Sequence, residues 1–159
     1  MIKVVDNFFN DDELNYVLNY CFNASYVYGE YDRLGLPPTG MIHQVSENTE
    51  FYNLFYNRTK RLISDLKLER IYINCFAPSE NPFFHIDCSD EKAITFLYYS
   101  VDQWSPDDGG ETQFYIDDEI FGVIPKPNRL VYFNSNLVHR ATSFRNKHRF
   151  TVALKYKSS

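Results

Sequence analysis

The spacing of apolar residues changes character near residue 70. Before it, the longer patterns are helical. In "NDDELNYVLNYCF", Leu14, Val17, Leu18 and Cys21 fall on one face. That predicts a helix capped by Asn10 or Asp11, with acidic residues placed favourably in its first turn. Phe51, Leu54, Phe55, Leu62, Ile63 and Leu66 form a second stripe and predict a helix from about Glu47 to Leu66. "IKVV", residues 2–5, reads as a short strand. "YGEYDRLGLPPTG" reads as a long loop, broken by its glycines and prolines.

From Ile71 onward the segments are short, aromatic and β-branched: "IYINCFA", "AITFLYYSV", "TQFYID", "EIFGVI", "RLVYFN", "LVHRATS" and "RFTVALKY". Pro, Gly, Asn and Asp separate them. Seven such segments predict a sandwich or barrel, one face of which the helices can cover. The expected fold is mainly β with N-terminal helices, a double-stranded β-helix (jelly roll) backed by two or more helices. No linker, repeat or low-complexity tract divides the chain. One domain over residues 1–159 is expected, with helical support at about 8–68 and a jelly-roll core at about 71–156.

Composition narrows the setting. The 159 residues are 44% hydrophobic and 18% aromatic, enough for a substantial core rich in Tyr and Phe. A net charge of -5 argues against a broad surface for nucleic acid or anionic membrane. Cys21, Cys75 and Cys88 form no CxxC pair and suggest reduced, intracellular usage. The N-terminus lacks the pattern of a signal peptide, and no run approaches the ~18 apolar residues of a membrane span. A soluble, cytoplasmic protein is expected, with a monomer as the default.

The chemistry concentrates in "NPFFHIDCSDE". On an extended segment His85 and Asp87 share a face, and two polar groups on a buried face are costly unless paired. A metal ion or a simple hydrogen-bonded pair would each answer that cost. His139, in "NSNLVHRATS", supplies a candidate third ligand. Two histidines and one carboxylate on one side of an ion suit non-heme Fe(II) and leave positions open, whereas zinc favours a fourth protein ligand. If the strands around His139 and Arg149 pair as a hairpin about "SFRNK", Arg149 reaches the same cavity and Thr151 shares its face. A guanidinium with a hydroxyl suits the distal carboxylate of a dicarboxylate whose other end chelates the ion.

The series His85-x-Asp87, His139 and Arg149-x-Thr151 resembles the 2-oxoglutarate and Fe(II)-dependent oxygenase superfamily. "TFLYYSVDQW", "GGETQFY" and "PKPNRLVYFNSNLVHRATSF" resemble its prolyl 4-hydroxylases over residues 71–156, and "VVDNFFNDDEL" resembles their entry strand and helix. The resemblance implies Fe(II) on His85, Asp87 and His139, and the 2-oxoglutarate 5-carboxylate on Arg149 with the Tyr99 hydroxyl beside it. It implies a tight turn at Gly109 and Gly110, O2 as oxidant, and ascorbate as a candidate reductant. It further implies hydroxylation of a peptide or protein, most naturally at proline. Asp87 itself favours hydroxylation, because halogenating relatives carry a small residue there.

Two positions depart from that pattern: Phe76 stands where prolyl hydroxylases commonly have Tyr, and Lys155 where hypoxia-sensing relatives carry a bulky aromatic. A second branch also bears comparison. "NCFAPSENPFFHID" resembles the alkylation-repair oxygenases, and Arg149-x5-Lys155 echoes their paired arginines. That reading implies a 2-oxoglutarate contact from Asn74 and a methylated base flipped into the pocket. A non-catalytic jelly-roll binding module is the further alternative. The loop 28–41 and the second helix are expected to shape the entrance. His43 and His148 are assigned no role.

Overall fold

Alternation along the last strand decides how the molecule is layered. Arg149, Thr151, Ala153 and Lys155 point to one side, and Phe150, Val152, Leu154 and Tyr156 to the other. Val152, Leu154 and Tyr156 pack with Val17, Cys21, Phe51 and Phe55 of the helices. Ala153 packs instead with Tyr72, Leu97, Tyr99, Phe114 and Phe133. Helices therefore back the outer face, and the inner face is closed by a second sheet.

The computed structural model describes residues 1–158. The elements run β1 (Ile2–Val5), α1 (Asp11–Asn23), β2 (Val27–Tyr28), β3 (Met41–Gln44), α2 (Glu50–Thr59), β4 (Leu66–Phe76) and β5 (Ile94–Ser100). After a 3-10 turn at Pro106–Asp108 come β6 (Thr112–Ile116), β7 (Glu119–Val123), β8 (Leu130–Asn134), β9 (His139–Ala141) and β10 (Arg149–Ser158). A seven-stranded antiparallel sheet has the order β1-β8-β5-β10-β4-β3-β2, and a three-stranded sheet the order β7-β6-β9. The two sheets and two helices make the expected helix-backed jelly roll. Every residue of β5 is buried, as a central strand covered on both faces requires.

All seven strands expected after residue 70 form. The second helix is shorter than its apolar pattern suggests and ends at Thr59, not Leu66. Thr59 turns its hydroxyl onto the Phe55 carbonyl and the Tyr156 hydroxyl. The chain then reverses through Asp65 at φ 60°, and Leu66 opens β4 opposite Ser158. Leu66 and Leu68 alternate with exposed Lys67 and Glu69, a period of two that the helical stripe had absorbed.

Asn10 caps α1 reciprocally with Glu13, whose carboxylate also holds Arg58 of α2 at 2.5 Å. This couples the two helices on the outer face. That location corrects the expectation that the second helix shapes the entrance: Phe55 packs on Tyr98, on the opposite side of β5 from Tyr99. No helix among the described residues is long and apolar enough to cross a membrane.

The expected hairpin between the strands of His139 and Arg149 does not form. β9 pairs with β6 in the small sheet, while β10 lies between β4 and β5 in the large one. Residues 142–148 cross between the sheets. His139 and Arg149 thus approach one cavity from opposite walls.

Candidate active site

The backbone sets His85 against His139. Each donates its amide to the other's carbonyl at 2.9 Å, an isolated antiparallel bridge that holds the ring centroids 4.6 Å apart. Asp87 is fixed two residues on by the hydrogen bond its amide donates to the Ser135 carbonyl, and Ile86 between them is exposed. One ligand atom from each of His85, Asp87 and His139 falls within a 4.8 Å cluster.

Each imidazole has a defined tautomer. His85 Nδ1 donates to the Phe83 carbonyl at 2.9 Å, and His139 Nδ1 to the Leu137 carbonyl at 2.8 Å. A carbonyl can only accept, so both Nδ1 atoms carry hydrogen, and each imidazole in its neutral form presents its lone pair at Nε2. Their neighbours are the carboxylate oxygens: Asp87 Oδ1 is 3.6 Å from His85 Nε2, and Oδ2 is 3.4 Å from His139 Nε2. Two imidazole nitrogens and one carboxylate on one side of a small space fit a divalent ion with open positions.

Burial pushes His139 down to about 4, so it is neutral at physiological pH. His85 moves the other way, because its contacts with Asp87 outweigh burial and raise it. Burial alone would raise Asp87, but the Lys155 ammonium and then the imidazoles hold its carboxyl well below the usual range. Lys155 pairs with Asp87 Oδ2, and the Thr95 hydroxyl donates to the same oxygen at 2.6 Å.

The far wall of the cavity carries Arg149, only 1% exposed. Its Nε donates to the Gly110 carbonyl at 2.8 Å and its Nη2 to Thr112 Oγ1 at 3.0 Å, with Nη1 3.5 Å from Thr151 Oγ1. All these acceptors are neutral, and among the described residues no carboxylate forms an ion pair with this buried guanidinium; Glu111 acts on it only through its more distant charge. A ligand carboxylate would complete it. The turn at Gly110 makes the arrangement possible. Its φ is +83°, and a Cβ there would meet the Phe144 ring at 2.3 Å.

One cavity of about 180 Å3 joins these parts, lined by His85, Asp87 and His139 together with Asn74, Arg149 and Thr151. Phe76 lines it too, its ring lying where a Cβ on Gly40 would have to be. Tyr99 stands behind the site. Its ring is 5.5 Å from the Arg149 guanidinium, and its hydroxyl lies 2.8 Å from Thr112 Oγ1 and 3.2 Å from the Val123 carbonyl. Tyr99 thus supports the arginine and does not line the cavity.

Four neighbours escaped the reading of motifs: Thr112, Thr95, Asp32 and the ion-pairing role of Lys155. Lys155 was within reach, since the alternation that puts Thr151 beside Arg149 also puts Lys155 on that face. Asp32 carries no local signal. It accepts from the Phe83 amide and the Thr39 hydroxyl at 2.8 Å and lies 3.7 Å from His85 Nδ1, so it ties the entrance loop to the site. Glu30 and Tyr31 of that loop also line the cavity, as the sequence led us to expect of segment 28–41. His43 lies apart, bonded to the Ser25 carbonyl and the Tyr20 hydroxyl.

Comparisons with known proteins agree with this layout. The family model for the 2OG-Fe(II) oxygenase superfamily matches residues 72–156. No curated protein matches the chain in sequence. Among solved structures, a Pseudomonas putida prolyl-4-hydroxylase superposes with TM-score 0.77 at 16% identity, covering 99% of this chain and 92% of the other. A prolyl hydroxylase from Trichoplax adhaerens, in complex with a hypoxia inducible factor oxygen degradation domain peptide fragment, gives 0.78 at 18% identity, covering 98% and 82%. HygX from Streptomyces hygroscopicus, with nickel and 2-oxoglutarate bound, gives 0.73 at 12% identity, covering 99% and 83%. At such identities the likeness is one of fold.

Proposed function

The chain belongs to the 2OG-Fe(II) oxygenase superfamily, and from that premise we propose that it is a 2-oxoglutarate- and Fe(II)-dependent dioxygenase that hydroxylates a peptide or protein, at proline. The observation that carries this reading is the shared cavity: the His85, Asp87 and His139 ligand atoms and the buried guanidinium of Arg149 line the same small space. With O2, bound Fe(II) and 2-oxoglutarate supply oxidative decarboxylation to succinate and CO2, coupled to insertion of one oxygen atom into a substrate C–H bond.

The chain's own part is binding and orientation. His85 and His139 offer Nε2 lone pairs fixed by their Nδ1–H bonds to backbone carbonyls. Asp87 supplies the anionic ligand, and Arg149 with Thr151 receives the distal carboxylate of the cosubstrate. Asn74 is the candidate contact nearer the metal ligands. Phe76, Leu97 and Ala141 add apolar wall between these polar groups. A cavity of about 180 Å3 suits a five-carbon dicarboxylate, so the substrate itself engages at the mouth, beside Glu30, Tyr31 and Asp32.

The charge balance favours a peptide over a nucleic acid. Glu30 at the mouth is paired with Arg70, Asp32 is taken up by the Phe83 amide and the Thr39 hydroxyl, and the net charge of -5 is unfavourable to a polyanion. The peptide-bound Trichoplax enzyme shares the fold, which adds support. The experiment offers proline-containing peptides and methylated oligonucleotides side by side, with Fe(II), 2-oxoglutarate and ascorbate. A peptide gaining the mass of one oxygen atom supports the proposal. Demethylated oligonucleotide with unmodified peptide would replace it with the repair reading.

A further inference from the structure

Lys155 lies six residues after Arg149 on the same face of β10, at the metal-ligand end of the cavity. Its ammonium meets Oδ2 of Asp87, lies 3.4 Å from Thr95 Oγ1 and rests over the Tyr72 ring at 5.7 Å. The Lys155 and Asp87 side chains are 13% and 8% exposed, so the pair is largely removed from water and weakly screened. Thr95 donates to the same oxygen. Both donors therefore converge on Oδ2, whereas Oδ1 faces His85 Nε2.

We propose that Lys155 is a positioning residue that tunes the metal centre: with Thr95 it holds Asp87 as a single-oxygen donor, and its charge lowers the affinity of the site for a divalent cation. The inference rests on His85, Asp87 and His139 being the metal ligands. A carboxylate already paired with an ammonium is a weaker donor, and that ammonium repels a second cation. The same charge favours an incoming dianion. Asp87 and a dicarboxylate together bring three negative charges, which Lys155, Arg149 and a divalent ion more than balance. Lys155 therefore shifts loading toward the ternary state, with the ion held loosely alone and firmly once the dicarboxylate is bound.

Lys155→Met removes the charge and the donor, and Lys155→Gln removes the charge but keeps an N–H. Mn(II) titrated alone into each purified protein by calorimetry should bind both variants roughly tenfold or more tightly than the wild type, the scale of deleting a unit charge a few ångströms from a divalent ion. 2-Oxoglutarate should then bind the Mn(II)-loaded variants more weakly than the loaded wild type. Mn(II) should also raise the melting temperature of Lys155→Met more than that of the wild type, because it relieves an unpaired Asp87.

Equal or weaker Mn(II) binding in folded Lys155→Met would overturn the inference, as would wild-type affinity in Lys155→Gln. Should Lys155→Met not fold, Lys155→Gln decides by the same criteria. Absence of Mn(II) binding in the wild type and both variants, with and without 2-oxoglutarate, would overturn the ligand assignment itself, whereas wild-type binding left unchanged by both variants removes only the role of Lys155.

Discussion

Two hydrogen atoms, on Nδ1 of His85 and of His139, decide what the site offers, because each turns an Nε2 lone pair toward Asp87. Proton competition for those lone pairs then sets a pH dependence. His85 is raised above the ordinary imidazole range by Asp87, while His139 is pushed down to about 4. As pH falls, protons should therefore compete with metal at His85 first and at His139 only near the acid limit. Mn(II) affinity measured across this range should fall first at a pH above the ordinary histidine value. At the other wall, Arg149→Gln should weaken 2-oxoglutarate binding by roughly 30-fold or more, the ~2 kcal/mol or greater cost of truncating one partner of a buried charge pair. Calorimetry on metal-loaded protein checks it, with Mn(II) affinity as the control. The sequence made these residues legible because few residue types can do the work. It left Thr112, Thr95 and Asp32 unread because a hydroxyl or carboxylate acquires its role only from a distant strand or loop.

Elements divide the labour between stability and chemistry. Asn10 caps α1 on the outer face, remote from the cavity. Asn10→Ala should cost about 1 kcal/mol, read as a lower melting temperature, and leave Mn(II) binding unchanged. Gly110→Ala acts on the inner side. A side chain at φ +83° would drive a Cβ into Phe144 and displace the carbonyl that anchors Arg149. It should destabilise by about 1–3 kcal/mol and, unlike Asn10→Ala, also weaken 2-oxoglutarate binding. Period-two segments after residue 70 were legible because burial alternates so cleanly there. The end of α2 was not, since Leu62, Ile63 and Leu66 extend a helical stripe while the chain turns at Asp65. The partner of β9 was equally hidden: a seven-residue connection admits a hairpin or a crossing between sheets, and the packing of β6 selects the crossing.

At the scale of the whole molecule, the large sheet separates two kinds of core. Its outer face buries the aromatic cluster of Phe9, Phe51, Phe55 and Tyr98 beneath the helices. Its inner face turns Arg149, Thr151 and Lys155 to the cavity, and the small sheet brings His139 and Thr112 to meet them. On the proposed function, a metal ion and a dicarboxylate complete the charge balance of this cavity, and binding tests that without any knowledge of the substrate. Under anaerobic conditions, the wild type loaded with Fe(II) should develop a visible charge-transfer absorption when 2-oxoglutarate is added, and none with succinate, which lacks the keto oxygen needed for chelation. His139→Ala should show no such band. Its absence from the wild type, or its persistence undiminished in His139→Ala, would contradict the account.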